Sequence, residues 1–194
     1  MISALMRQDR WLVLSQALFL CLIPAELLLG RGWDAIAALG ALGACLIPTA
    51  LRENTRLDLP DGVDRATALF VTATIFLGER LSFYDLLWWW DLAAHGVAGV
   101  LLVLLAALVH DQLQGRRGSE VPIGGPLRMI FILSFSIAAA ALWEVLEYSL
   151  DVIFDSDAQE DGLDDTMTDI LAHVLGSVTA AMLLHRNSNR NSQD

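Results

Sequence analysis

Residues 129–142 read MIFILSFSIAAAAL, and the chain runs straight on into Trp143-Glu144-Val145-Leu146-Glu147-Tyr148, with Asp151 just beyond. The first part carries no charge. The second attaches two carboxylates, three residues apart, to its end. Residues at that spacing share one face of a helix. The stretch therefore reads as a membrane helix with a polar site at one end, and the rest of the chain follows from that reading.

Of 194 residues, 55% are hydrophobic and only 18% charged, with mean hydropathy +0.52. A soluble domain of this length carries more charge and breaks its apolar runs more often. Several runs approach the roughly 20 residues that cross a bilayer as a helix. The expected fold is all-α: a polytopic membrane helical bundle of about six transmembrane helices. It forms one domain over residues 1–186, followed by a polar tail, 187–194. The net charge of −11 argues against nucleic acid as a partner. Cys21 and Cys45 sit inside apolar runs, which argues against a disulfide framework or a thiolate metal site.

In chain order the expected helices are Trp11–Leu29, Trp33–Leu51, a third starting near Ala66, Leu86–His110, Leu127–Leu150 and Asp165–His185. The first is longer than the roughly 7–15 residues of a signal core and reads as a retained helix, which Pro24 could kink. The third is cleanly apolar only to Leu77. It reaches Tyr84 if Glu79 and Arg80 pair with other groups. Trp88-Trp89-Trp90 is an aromatic cluster of the membrane-interface kind. Gly40, Gly43, Gly96, Gly99 and Gly176 read as close helix contacts. His110 and His185 read as interface residues.

Orientation follows from the arginines. Arg7 and Arg10, then Arg52, Arg56 and Arg65, then Arg116, Arg117 and Arg128, then Arg186 and Arg190 fall in alternate connections. That places both termini in the cytoplasm. The loop Asp155–Asp165 is rich in acids, has no Lys or Arg, and faces outward. Its calcium-loop flavour fails, because Thr168 stands where a glutamate is needed.

In that topology Asp91, His95, Glu144, Glu147, Asp165 and Asp169 all lie at similar depth toward the outer face, as does Glu26. At about 100° per residue, Asp91 and His95 are roughly 40° apart, and Glu144, Glu147 and Asp151 fall within roughly 60°. Asp165, Asp169 and His173 drift by roughly 80° in all. A carboxylate at the centre of a membrane helix costs about 2.5–3.5 kcal/mol, and several at one depth repel one another unless a cation, protons or donors intervene. Asp165 also reads as a cap of the last helix, where acids suit the helix dipole.

Taken together, Trp90-Asp91-x3-His95-Gly96-x2-Gly99, Trp143-Glu144-x2-Glu147-Tyr148 and Asp165-Thr166-x2-Asp169-x6-Gly176 resemble the YjdF-like family of bacterial inner-membrane proteins. More distantly they are similar to VanZ-like proteins, which place a comparable Asp/His, Glu and Asp set on successive helices. Glu147 stands where the VanZ-like pattern more usually has an amide. The likeness covers the second half of the chain. It implies a bacterial inner (plasma) membrane location, and on the VanZ-like side a link to the cell envelope.

Three functions compete. The first is a metal site for Mg, Mn, Fe or Zn formed by Asp91, His95, Glu144, Glu147, Asp165 and Asp169. There the ion activates water for an amphiphilic or envelope-derived substrate, with Glu147 or His95 as base. The second is a proton- or cation-coupled transporter. The third is a structural or accessory subunit whose acids tie helices together. All three have the lipid bilayer as partner.

Overall fold

The computed structural model describes residues 9–55, 57–117, 125–154 and 162–191. Arg7, Arg56, Ser119, Gln159 and most of the acidic loop, residues 155–161, lie outside them. Among the described residues every regular element is helical: α1 (Arg10–Leu28), α2 (Gly32–Asn54), α3 (Asp61–Val71), a π-helical segment (Thr72–Arg80), the short α4 (Phe83–Leu86), α5 (Trp90–Arg117), α6 (Gly125–Phe154) and α7 (Leu163–Asn191). Of these, α1, α2, α5, α6 and α7 are long and apolar enough to cross a membrane. The segment expected as a third span is built from α3 and the π-helical turns and falls outside that set.

Helices run further than the sequence suggests at several ends. α5 begins at Trp90, because the chain breaks at Leu87 after α4, and it continues to Arg117 instead of stopping at His110. α7 begins at Leu163, so Asp165 sits in its first turn and does not cap it. The same helix takes in most of the expected polar tail. Once a helix is established, each further residue adds a hydrogen bond cheaply, so polar flanks extend a membrane helix without any apolar signal.

The structure falls into two compact units, Met1–Trp90 and Asp91–Asp194. In unit 1, α1 turns into α2 through Gly30, whose φ of +74° is a left-handed conformation that favours glycine. Arg31 N–H donates to the Glu26 carbonyl at 2.9 Å and Gly30 N–H to that of Leu27 at 3.1 Å, closing the helix end. The core is Leu12, Phe19, Ala38, Ala41, Cys45, Ala68 and Val71. Gly40 and Gly43, expected at close contacts, have open space where a side chain would project.

Unit 1 also buries acids. Glu26 receives Arg80 Nε at 2.6 Å, with Arg31 Nη1 at 3.8 Å. Asp64 is fully buried, 2.7 Å from Arg52 Nη2, and accepts the Asp9 backbone N–H at 3.0 Å. Asp9 caps α1 through the Trp11 N–H and pairs with Arg65 at 3.0 Å. Asp9, with Asp64 and Arg65 near the start of α3, thus clamps the starts of α1 and α3 together.

In unit 2, α5, α6 and α7 pack around Val103, Ala106, Ala107, Ile132, Ala180 and Ala181. A side chain on Gly99 would strike the His173 carbonyl, and one on Gly176 the Gly96 carbonyl. These glycines let α5 and α7 touch backbone to backbone, as expected from the sequence. Leu142, Leu171 and Leu175 point outward and stay exposed, as suits side chains facing lipid. At one end of the unit Arg128 grips Asp111 with Nε and Nη2, both at 2.7 Å. His110 Nδ1 lies 3.0 Å from the same carboxylate. His110 is buried against Phe131.

Candidate functional site

The other end of unit 2 is where α5 begins, α6 ends and α7 begins. Each helix delivers one stripe. Asp91 and His95 sit one turn apart on α5, Glu144 and Glu147 one turn apart on α6, and Asp169 and His173 one turn apart on α7. Five of the six residues expected to ligate a metal converge. Asp91, His95 and Asp169 offer donor atoms within 4.8 Å of one another, and so do His95, Glu144 and Glu147. His95 belongs to both groups. Asp165 is half-buried nearby and belongs to neither.

The two groups meet His95 on different ring nitrogens. Nε2 lies 3.6 Å from Asp91 Oδ1 and 3.8 Å from Asp169 Oδ2. Nδ1 lies 3.9 Å from Glu144 Oε1. Asp91 and Asp169 also turn their carboxylates toward each other. Two ionised carboxylates cannot hold that position unless a proton or cation sits between them.

Burial sharpens the point. Glu144 is 5% exposed and Asp169 2%. Thr166 approaches Glu144 from α7, yet neither Glu144 oxygen makes a well-formed hydrogen bond, and Asp169 Oδ1 has none either. Buried carboxylate oxygens are ordinarily satisfied, and each left bare carries a full desolvation penalty. No arginine or lysine pairs with this cluster among the described residues. Glu147 is half-buried and oriented by Trp143, whose Nε1–H donates to Oε1 at 2.7 Å. The tryptophan of the Trp-Glu-x2-Glu motif therefore positions a site residue.

Beneath the carboxylates lies a network that was not expected from the sequence. Ser136 Oγ is 3.0 Å from His173 Nε2 and 2.9 Å from Ser177 Oγ, and Ser177 donates to the His173 carbonyl at 2.9 Å. Ser136 stands two turns before Glu144, and Ser177 two turns after Asp169. The stripes therefore continue down the helices as hydroxyls. One turn further in, the bundle is apolar, closed by Val103, Ile132, Ala180 and Ala181. Glu26, expected at the same depth, is held by Arg80 and Arg31 within unit 1.

A family model described as "Predicted membrane protein (DUF2238)" matches residues 10–190. A protein of Thermotoga maritima described as uncharacterized is 28% identical over 143 residues, covering 72% of this chain and 70% of its own. No solved structure matches. Nothing in these comparisons supports the VanZ-like kinship.

Proposed function

The chain belongs to the DUF2238 family of membrane proteins, and from that premise we propose that its second unit binds a divalent cation at the carboxylate–histidine end of the bundle and acts there on an amphiphilic substrate. One observation carries this reading: Glu144 is buried with both carboxylate oxygens unsatisfied, facing the ring of His95. A strut would have found a donor. A ligand waits for an ion. Asp91, His95 Nε2 and Asp169 form the nearest set for such an ion. Carboxylates with one imidazole suit Mg, Mn, Fe or Zn. A bound divalent ion would supply Lewis acidity for hydrolysis of an ester or phosphoester at neutral pH, and the carboxylates beside it would accept the proton of the attacking water.

The transporter reading is weaker, because the apolar layer at Val103, Ile132, Ala180 and Ala181 separates the site from His110 and Asp111 at the far end. The structural reading is supported by the Ser136–His173–Ser177 network but leaves Glu144 unexplained.

The placement we propose is a bacterial inner membrane, as the YjdF-like resemblance implies, with both termini cytoplasmic and the site toward the outer face. Elemental analysis of the full chain, purified without chelator, should find a divalent metal whose content Glu144→Gln lowers. Metal-free protein that also fails to bind added Mn or Zn overturns the reading. In a background lacking Cys21 and Cys45, a cysteine at Gln159 should react with an impermeant thiol reagent in intact cells, and one at Ser119 should be protected. The reverse pattern puts the site on the cytoplasmic side.

A further inference from the structure

We propose that the site takes two divalent cations, one on each side of His95, rather than a single ion held by all the carboxylates. This rests on the metal reading above and divides it. The first position is the Asp91–Asp169 pair on the Nε2 side; the second is Glu144 with Glu147 on the Nδ1 side.

Three observations carry the inference. The first is the split of the donors. His95 is the one residue common to the two groups, and it meets them through different nitrogens. A neutral imidazole has a single lone pair for a metal; its other nitrogen carries a proton. One ion therefore cannot use His95 toward both groups. In this arrangement Nε2 would ligate on the Asp91–Asp169 side, and Nδ1, 3.9 Å from Glu144 Oε1, would carry the proton. A ligating histidine steadied through its other ring nitrogen by a carboxylate is a common arrangement around metals.

The second is the set of oxygens left over. On the Nδ1 side Glu147 Oε1 is taken by the Trp143 indole, which fixes the carboxylate and leaves its other oxygen for an ion. Glu144 Oε1 faces the histidine, and Oε2 is buried and unsatisfied. Glu147 thus has one oxygen oriented by a ring N–H and a second free to ligate, and Glu144 has both oxygens without a hydrogen bond. On the Nε2 side Asp169 Oδ1 is likewise buried and unsatisfied.

The third is charge. Ionised, Asp91, Asp169, Glu144 and Glu147 carry four negative charges around a neutral ring. One divalent ion would leave two of them uncompensated in a helix bundle whose outer face is apolar. Two divalent ions balance these four; Asp165, half-buried nearby, stands outside both donor groups. Proteins with paired metals use them to hold both the attacking water and the substrate oxygen, which suits hydrolysis of a phosphoester-bearing amphiphile.

The test is Mn²⁺ binding to the full chain in detergent after chelator stripping, followed by stoichiometry and electron paramagnetic resonance. Wild type should bind two Mn²⁺ per chain, with a spectrum broadened by coupling between neighbouring ions. Glu147→Gln and Asp169→Asn should each bind one and show the sharp six-line spectrum of an isolated ion. A single Mn²⁺ in wild type overturns the two-ion proposal and leaves the metal reading standing. No binding at all overturns both. Two ions in wild type that Glu147→Gln and Glu144→Gln leave unchanged place the second ion elsewhere and also overturn it. The wild-type count decides without relying on any variant's folding.

Discussion

In unit 1 every fully buried acid has its arginine: Glu26 has Arg80 and Asp64 has Arg52. In unit 2 the buried acids of the site have only a histidine, and its nitrogens stay 3.6–3.9 Å away. The chain plainly can pair acids in unit 2, since Arg128 holds Asp111 at the other end with two short bonds. Glu26 Oε2 and Asp64 Oδ1 also lack a hydrogen bond, but an arginine stands beside each carboxylate; among the described residues it is the lack of a cation that is local to one end of one unit. An arginine fills the same space as a cation and makes it permanent. A site without one must be balanced by something that comes and goes. The contrast separates acids that hold the fold from acids that wait for a partner.

The comparison breaks most visibly if an arginine is removed from unit 1. Arg52→Ala leaves Asp64, which is wholly buried, with only the Asp9 N–H. Removing one partner of a buried pair costs about 3–5 kcal/mol; Arg52 is partly exposed, so the lower end, about 3 kcal/mol, is expected. Thermal unfolding in detergent should show the loss, and Arg52→Met with Asp64→Leu should recover most of it. A loss below about 0.5 kcal/mol, within the range of exposed pairs, would mean that Asp64 is not held by charge and would dissolve the contrast.

Glu144→Gln should behave in the opposite way. Gln keeps the shape and removes a charge that nothing offsets, so metal-free protein should be as stable as wild type or slightly more so. What it should lose is one ion's share of the stabilisation by added metal. At a hundredfold excess over Kd that share is about 2.7 kcal/mol, read as a larger rise in Tm for wild type than for the variant. Glu144→Leu should lose the same share and also weaken the fold. If Glu144→Gln destabilises the metal-free protein and keeps the metal response, Glu144 belongs with Asp64 as a strut.

Unit 2 was far more legible in the sequence than unit 1, for a physical reason. A carboxylate inside a long apolar helix is conspicuous because it is expensive there, so Asp91, Glu144, Glu147 and Asp169 stood out and their spacing aligned them. Asp64 did not stand out. It sits in a polar stretch that reads as a solvated loop, and what buries it is Arg52 on another helix, a pairing no local pattern records. Ser136 and Ser177 were silent for another reason. A serine in a membrane helix can satisfy itself on the carbonyl four residues back, so its presence signals nothing until a partner is seen. The π-helical turns from Thr72 to Arg80 have no sequence signature at all. Gly78 lies within them, where any side chain would strike the Tyr84 ring.

The glycines give the smallest test and the one closest to the backbone. The sequence treats Gly40, Gly43, Gly99 and Gly176 alike, as small residues for close helix contact. The structure divides them along the same line as the acids. Gly99 and Gly176 touch a neighbouring backbone at the level where α5 and α7 hold the two halves of the site together, and Gly40 and Gly43 touch nothing. Gly176→Ala must push α5 from α7, because the new carbon meets the Gly96 carbonyl, which is backbone and cannot rotate away. Overpacking of this kind costs about 1–3 kcal/mol, and it should also weaken metal binding by separating Asp91 and His95 from Asp169. Gly40→Ala meets no atom and gains up to about 1 kcal/mol of helix propensity. It should raise the Tm slightly and leave metal binding unchanged. The paired measurement is thermal unfolding with and without Mn²⁺ for both variants. If Gly40→Ala destabilises the protein as much as Gly176→Ala does, the exposed face of α2 is packed in the membrane against a surface outside unit 1, and the distinction between the two sets of glycines fails.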